Sequence, residues 1–426
     1  MGSELVSTKD IYNVVRRTLE VMDAQILWHG EITGYLFYNI LKAEGIYTER
    51  DLAEYTLIGM LHDLGMIKTG YEGGIIQCER TNIWAHSIYG YLFLKNLSPV
   101  DDKAEIVLYH HLPYKLHSQI KSRYMKVTEY LTLADKMAVF LRMGEDKAEQ
   151  SIYMRQAQGE LSAKALELFQ IAQTRFDVLR KLKTHEYQKE LEALFDRISF
   201  TERQKRSFLD MLIYAIDFRS QPTVIHTMST RTFALELGRL MRVPAVDLQI
   251  LYYGSLLHDI GKIAIPISIL EAPRRLTEEE MRVMQGHVVM TDKILRGVMD
   301  ERIVNVAAKH HEKLDGSGYP EGIGASDLSM LERTIAVADI LSALYGKRSY
   351  KEAFPPEKIK EILLEDANQG KICIKVVQAA LGHYDEIIRT YEKQRDVTME
   401  RYMEIVNQYD NIYERFKEFD QAEMTA

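Results

Sequence analysis

Cysteine is almost absent from this 426-residue chain: Cys78 and Cys373 are the only two, and they lie far apart. That excludes a disulfide framework and a cysteine-built zinc site. Proline is scarce as well, with 9 residues, so long helices meet few obligatory breaks. A basic excess is missing: the formal net charge is -8 and the pI about 6.0. Binding to a DNA or RNA polymer, which needs a basic face, is therefore not expected, although a local basic pocket for a phosphate ligand is compatible with that balance. No apolar run reaches the roughly 18 residues that span a bilayer. The segment from Met1 to Asp10 has no apolar signal-peptide core. No membrane association is expected, and a reducing cytoplasm is the simplest location.

What the chain does have is apolar content, 46%, ample for real cores. Its length suggests two or three domains. Helical periodicity dominates, for example over Ala104 to Leu112, Thr128 to Leu141 and Ile303 to His311, and alternating β-type runs are few. The fold class expected is all-α. The segment from Asp315 to Ser329, rich in Gly and Ser, reads as a loop. Near the C-terminus an apolar stripe at helical spacing runs through Ile388, Tyr391, Met399, Tyr402, Ile405, Tyr409, Ile412 and Phe416. It suits either a helix packed back on its own domain or a homodimer helix.

Histidine supplies the strongest signal. Ten of the 13 histidines form two series in the same order. The first is His29, His62-Asp63, His86, His110-His111, then Asp135. The second is His226, His258-Asp259, His287, His310-His311, then Asp339. Spacings agree: 33 positions from His29 to His62 and 32 from His226 to His258, then 24 from His86 to His110 and 23 from His287 to His310. A lone histidine on an apolar helix is usually a satisfied core residue; two matched series, each with two carboxylates, are an internal repeat. Imidazole with carboxylate suits zinc, manganese or iron. Seven candidate ligands per series are enough for two ions, and an Asp can bridge a pair. Two such ions activate a bridging water and clamp the oxygens of a phosphoryl group.

The order His, His-Asp, His, His-His, Asp resembles the HD superfamily of metal-dependent phosphohydrolases. The second series is similar specifically to the HD-GYP phosphodiesterases. That likeness rests on Leu257 to Ile263, on His310-His311-Glu312 through Gly318-Tyr319-Pro320, and on Ala338-Asp339 with Arg348 and Tyr350 after it. The resemblance implies two tandem HD-type helical domains: an N-terminal one over 1–141, a helical connector over 142–204, a C-terminal HD-GYP domain over 205–384, and a terminal helix over 385–426. It implies hydrolysis of a cyclic dinucleotide, cyclic di-GMP first, with a metal-bound hydroxide as nucleophile and two divalent ions, iron or manganese.

Carried over by position, His226, His258, Asp259 and Asp339 would hold one ion. Asp259 would bridge, and His287, His310 and His311 would hold the other. Lys262 would reach a phosphate, and the loop with Asp315, Gly318, Tyr319 and Pro320 would border the pocket. Glu312 is expected to orient a histidine ligand. Departures from the family pattern are Pro222 where some members have a metal-binding Glu, and Ser342 where an Asp is usual. In the first series Met66 replaces Lys262, and Leu112-Pro113-Tyr114 follows the histidine pair in place of a Gly-Tyr-Pro loop. That domain is expected to be a further metal site without the phosphate grip, serving either as a second hydrolase or as a regulatory remnant. Competing readings of the whole chain are an HD phosphohydrolase acting on nucleotides or phosphomonoesters, and a scaffold whose Gly-Tyr-Pro loop docks a signalling protein.

Overall fold

The computed structural model describes residues 4–22, 24–69, 83–142, 144–346 and 354–424. Cys78, Arg348 and Tyr350 fall outside them. Among the described residues there are helices and turns but no strand; one isolated bridge joins Asp315 to Gly324. No helix among them is long and apolar enough to cross a membrane. The chain divides into two compact units, residues 1–211 with 405–426, and residues 212–404.

In the first unit the helices Ala24–Glu44, Glu49–Met60, Ile83–Leu97 and Met125–Leu141 carry the first histidine series or lead into it. Thr48 starts the second of these with a capping box closed by Asp51. Residues 144–204 belong to this unit. Phe195 stacks on Tyr12 with ring centres 4.7 Å apart, and the Tyr187 hydroxyl donates to Glu31 at 3.1 Å.

In the second unit the corresponding helices are Gln221–Leu240, Ala245–Leu257, Glu278–Leu295 and Met330–Tyr345. Thr277 with Glu280, and Ser329 with Glu332, form capping boxes that fix two of their starts. Phe233, Leu237, Val337, Leu341, Ile359, Leu363 and Val376 are fully buried in one core. Each large side chain of this kind stabilises the unit by about 1.5–3 kcal/mol.

The apolar stripe near the C-terminus belongs to one helix, Tyr384–Met424. Ile388 and Tyr391 join the core of the second unit, and Tyr402 packs on Phe218. Farther along, Tyr409 stacks on Tyr89 at 4.2 Å, and Phe416 meets Trp84 and Tyr109. Much of the stripe is thus consumed within the chain.

Two candidate metal centres

The histidine-bearing helices are shorter than periodicity predicts, and this matters for the sites. Residues 104–112 were expected as one helix, but only Glu105–Leu108 is helical. Likewise the helix Glu301–Ala308 stops before His310. The His-Asp pair also sits past a helix end: Leu257 is the last helical residue, and Asp259 opens a 3-10 turn, Ile260–Ala264. A helix would set neighbours about 100° apart; leaving it lets consecutive side chains turn into one cavity.

Close backbone approach holds that junction. A Cβ on Gly261 would lie 2.0 Å from the carbonyl oxygen of His287, and one on Gly65 would lie 2.0 Å from that of His86. Only glycine fits either place. Thr291 adds a bond to the His258 carbonyl at 2.9 Å, and the Arg219 guanidinium donates to the carbonyls of Lys262, Ile263 and Ile265. The turn that presents Lys262 is therefore clamped from outside.

At the second centre all seven expected ligands converge. Asp259 Oδ2 lies 3.3 Å from His226 Nε2 and 3.1 Å from His258 Nε2, while its Oδ1 lies 3.3 Å from His287 Nε2 and 4.0 Å from His310 Nε2. One carboxylate thus faces both halves of the cluster. Asp339 Oδ1 is 3.1 Å from His226 Nε2, and its Oδ2 is 3.6 Å from His311 Nδ1. Lys262 Nζ sits 2.5 Å from Asp259 Oδ2.

The first centre repeats this pattern. Asp63 Oδ2 faces His29 at 3.5 Å and His62 at 3.4 Å, and its Oδ1 faces His86 at 3.4 Å and His110 at 4.0 Å. Asp135 Oδ1 lies 3.2 Å from His29, and its Oδ2 lies 3.9 Å from His111. Each centre separates into two ligand groups, His226-His258-Asp259 with His287-His310-His311, and His29-His62-Asp135 with Asp63-His86-His110-His111.

Backbone carbonyls fix the rings. His258, His287 and His310 each donate Nδ1–H to the carbonyl three residues earlier, as His62 and His110 do in the first centre. That tautomer leaves Nε2 as a lone-pair donor toward the cavity. Ser342 Oγ lies 2.9 Å from His226 Nδ1, so it performs the ring-orienting contact that a longer Asp would make.

The donor set suits divalent cations. His110 Nε2, both Asp135 oxygens, His258 Nε2 and Asp339 Oδ1 are buried without a hydrogen-bond partner. Orphaned acceptors of this kind are costly unless a cation satisfies them. Burial opposes ionisation of Asp259, but His258 and Lys262 overcome it and hold the carboxyl well below its usual range. Burial keeps His287 neutral down to about 4, and with help from neighbouring imidazoles it holds His310 well below the ordinary value. Ionised carboxylates and neutral imidazoles are the forms that bind metal.

The Gly-Tyr-Pro loop is held from beneath. Glu312, expected from the sequence to orient a ligand histidine, instead serves the loop. It is buried, and its carboxylate accepts the backbone N–H of Glu321 at 2.7 Å, Gly322 at 3.2 Å and Ile323 at 3.2 Å. A carboxylate between consecutive amides is a strong anchor. Tyr319 is tied by its N–H to the His311 carbonyl, and its ring lies 4.7 Å from the His311 ring. Gly318 passes so close to the preceding turn that a Cβ would meet Lys313 N at 2.4 Å. Asp315 is exposed and bonds back to Ser317, while Pro320 is exposed after a cis peptide. Tyr319 therefore borders the cavity, and Asp315 serves the turn.

Two residues near the sites were missed. Asp217 is buried, and desolvation, helped by the nearby Asp259 charge, pushes its carboxyl up to about 7. Its signal was a single acid ending the apolar run from Met211 to Ile216. The other is Lys136, the only lysine in the middle of the largely apolar helix Met125–Leu141, with Nζ 3.7 Å from Asp135 Oδ2.

Comparison with known proteins agrees with this geometry. The family described as HD domain matches residues 28–153 and again residues 210–372. A Vibrio cholerae protein named 3′3′-cGAMP-specific phosphodiesterase 1 is 25% identical over 91% of this chain and 93% of its own length. The Xanthomonas campestris pv. campestris protein named cyclic di-GMP phosphodiesterase response regulator RpfG is 33% identical over 46% of this chain and 51% of its own. The chain thus spans nearly all of one relative and about half the length of the other. The crystal structure of a cyclic GMP-AMP specific phosphodiesterase of Vibrio cholerae superimposes with a TM-score of 0.57 at 19% identity, over 89% of this chain and 98% of that one, which supports the shared fold. With two matched HD regions, each carrying a complete histidine and aspartate set, the chain belongs to the HD superfamily of metal-dependent phosphohydrolases, as a tandem protein whose second domain resembles the HD-GYP type.

Proposed function

We propose that the second centre hydrolyses a phosphodiester bond of a 3′,5′-linked cyclic dinucleotide. The observation that carries this reading is Asp259, which turns one oxygen toward each half of a seven-ligand set and lies against Lys262. When bound, a pair of divalent ions, iron or manganese, supplies an activated water and neutralises charge on the phosphoryl oxygens. The protein's own contribution is preorganisation. Carbonyl-fixed imidazoles aim their Nε2 atoms inward, and Lys262 holds a positive charge where the phosphoryl oxygens gain negative charge. His311 and His226 keep 28% and 19% of their side chains exposed, which leaves a mouth for a large ligand beside Tyr319.

Two substrates are supported. The cyclic di-GMP expectation draws on a relative that covers 46% of this chain, while 3′3′-cyclic GMP-AMP draws on a relative that covers 91% of it. Purified protein loaded with Fe(II) or Mn(II) should linearise at least one of them. Asp259→Asn should lower turnover by more than about 100-fold, and Asp63→Asn should leave it within a few-fold. Metal-loaded wild type that cleaves neither dinucleotide refutes the reading. Equal loss in both variants would move the chemistry away from the second centre alone.

A further inference from the structure

Three ligand rings of the second centre, His258, His287 and His310, give Nδ1–H to a backbone carbonyl, which can only accept, so the partner settles their tautomer. His226 is different. Its Nδ1 lies 2.9 Å from Ser342 Oγ, and a hydroxyl can donate or accept. If Ser342 donates, the neutral ring carries its proton on Nε2. That atom faces Asp259 at 3.3 Å and Asp339 at 3.1 Å, and it would lose the lone pair that a metal needs. A second hydroxyl decides the direction. Ser229 stands one turn after His226 on the helix Gln221–Leu240, as Ser342 stands one turn after Asp339 on Met330–Tyr345. Ser229 Oγ is hydrogen-bonded to Ser342 Oγ and lies 2.9 Å from the His226 carbonyl oxygen. The helices that pair His226 with Asp339 therefore also pair the two serines.

Ser229 and Ser342 are only 3% and 2% exposed, so their protons must find partners inside the protein. The His226 carbonyl only accepts, and it takes the Ser229 proton. Ser229 Oγ then offers Ser342 only lone pairs, and the Ser342 proton goes there. Its other acceptor, the His226 carbonyl at 3.3 Å, is already served by Ser229 at the shorter distance. Ser342 Oγ is left as the acceptor for Nδ1–H, and Nε2 keeps its lone pair toward the cavity. The chain of bonds begins and ends on His226. It adds no charge to the site, unlike the Asp usual in the family pattern at this position. By register with His226 and Asp339, the first centre has Ile32 and Ala138 in these places, and neither side chain can form such a relay.

We propose that Ser229 is a positioning residue of the second centre: through Ser342 it holds His226 in the tautomer that presents Nε2 to a metal ion. The inference deepens the proposed metal centre. It rests on His226 being a ligand there and not on which substrate is cleaved.

The test measures metal rather than turnover, in the full chain carrying Asp63→Asn to remove a ligand from the first centre. Manganese affinity, read by competition with a chelator, should fall about 10- to 100-fold in Ser342→Ala and at least about fivefold in Ser229→Ala, the scale of losing a contact that orients a ligand. Because the serines act in series, Ser229→Ala should have no further effect in a protein already carrying Ser342→Ala. Zinc-loaded protein with 15N-labelled histidine gives the spectroscopic readout. His226 should show Nδ1–H, and that N–H should exchange with water at least about tenfold faster in either variant. Additive losses in the double variant, unchanged affinity in Ser229→Ala, no manganese uptake by the Asp63→Asn protein, or His226 without Nδ1–H in the zinc-loaded protein would each overturn the proposal. Metal binding that responds to the serines as stated, in a protein that cleaves no cyclic dinucleotide, supports the relay and refutes only the substrate reading.

Discussion

Replacing Glu312 with Gln changes one oxygen for an amide and leaves the shape intact. In the native protein Oε1 accepts from Glu321 and Gly322, and Oε2 accepts from Ile323. The side-chain NH2 of Gln can replace only one of these oxygens. If it faces Ile323, one bond is lost to two opposed donors and the other two lose their charge assistance. Hydrogen bonds to a charged partner contribute about 1.5–3 kcal/mol each, and neutral ones about half of that. The loop anchor should therefore weaken by about 3 kcal/mol. With 1.4 kcal/mol per tenfold, the amides of Glu321, Gly322 and Ile323 should exchange with deuterium about 100-fold faster. The Leu314 amide bonds to the Lys371 carbonyl at 2.9 Å and makes no contact with Glu312, so it serves as the internal control. A looser Tyr319 should also raise KM more than it lowers kcat. Unchanged exchange at the three amides would refute the anchor argument. Equal acceleration at Leu314 would show that the whole unit had loosened instead.

Lys262→Met should lower kcat by about 100-fold, the scale of removing one preorganised charge contact, while bound metal measured by elemental analysis stays constant. Gly261→Ala forces a Cβ to within 2.0 Å of the His287 carbonyl, so it should destabilise the second unit by about 3 kcal/mol; an unchanged melting curve would contradict the close approach. Chelator-treated protein should lose stability as pH falls from 6.5 toward 4. His287 stays neutral in the folded state down to about 4, whereas in the unfolded chain it protonates near 6.5. The unfolded state therefore takes up the extra proton in that window, at a cost of ~3 kcal/mol to folding. His310 and His311 act in the same direction, as do His86, His110 and His111 of the first centre; Asp217 acts in the opposite one, and His226, raised above its ordinary value, contributes only above pH 6.5. Urea titrations at pH 7 and pH 4.5 decide the sign; greater stability at pH 4.5 would refute it.

The all-helical class and the convergence of fourteen candidate ligands on two clusters were legible because the chain contains its own control. A repeat of residue type, order and spacing cannot arise from two unrelated core histidine sets. Less legible was how the ligands reach the cavity. Periodicity ran His110-His111 and His310-His311 into helices, since apolar spacing continues past the last helical hydrogen bond. The actual ends are set by tertiary contacts, such as Thr132 bonding the His110 carbonyl and Thr291 the His258 carbonyl. Glu312 was misread for a similar reason. Adjacency to two ligands suggested a partner for them, but its acceptors are needed nine to eleven residues away, where the loop returns.

Lys136 shows where positional comparison between the two domains fails. Matching residue to residue, Met66 for Lys262, suggests that the first domain lost its cation. What the chemistry requires, however, is a charge near a carboxylate pair, and a long flexible side chain can bring that charge from more than one helix. The metal ligands cannot move in this way, because coordination fixes each donor atom within a few tenths of an ångström, and the ligand distances of the two centres agree closely. The ammonium is bound by no such limit. It stands on Asp135 in one centre and on Asp259 in the other. The two domains therefore share what metal binding constrains tightly. They differ at the lysine, the loop after the histidine pair and the exposure of the ligand side chains, features that coordination does not constrain.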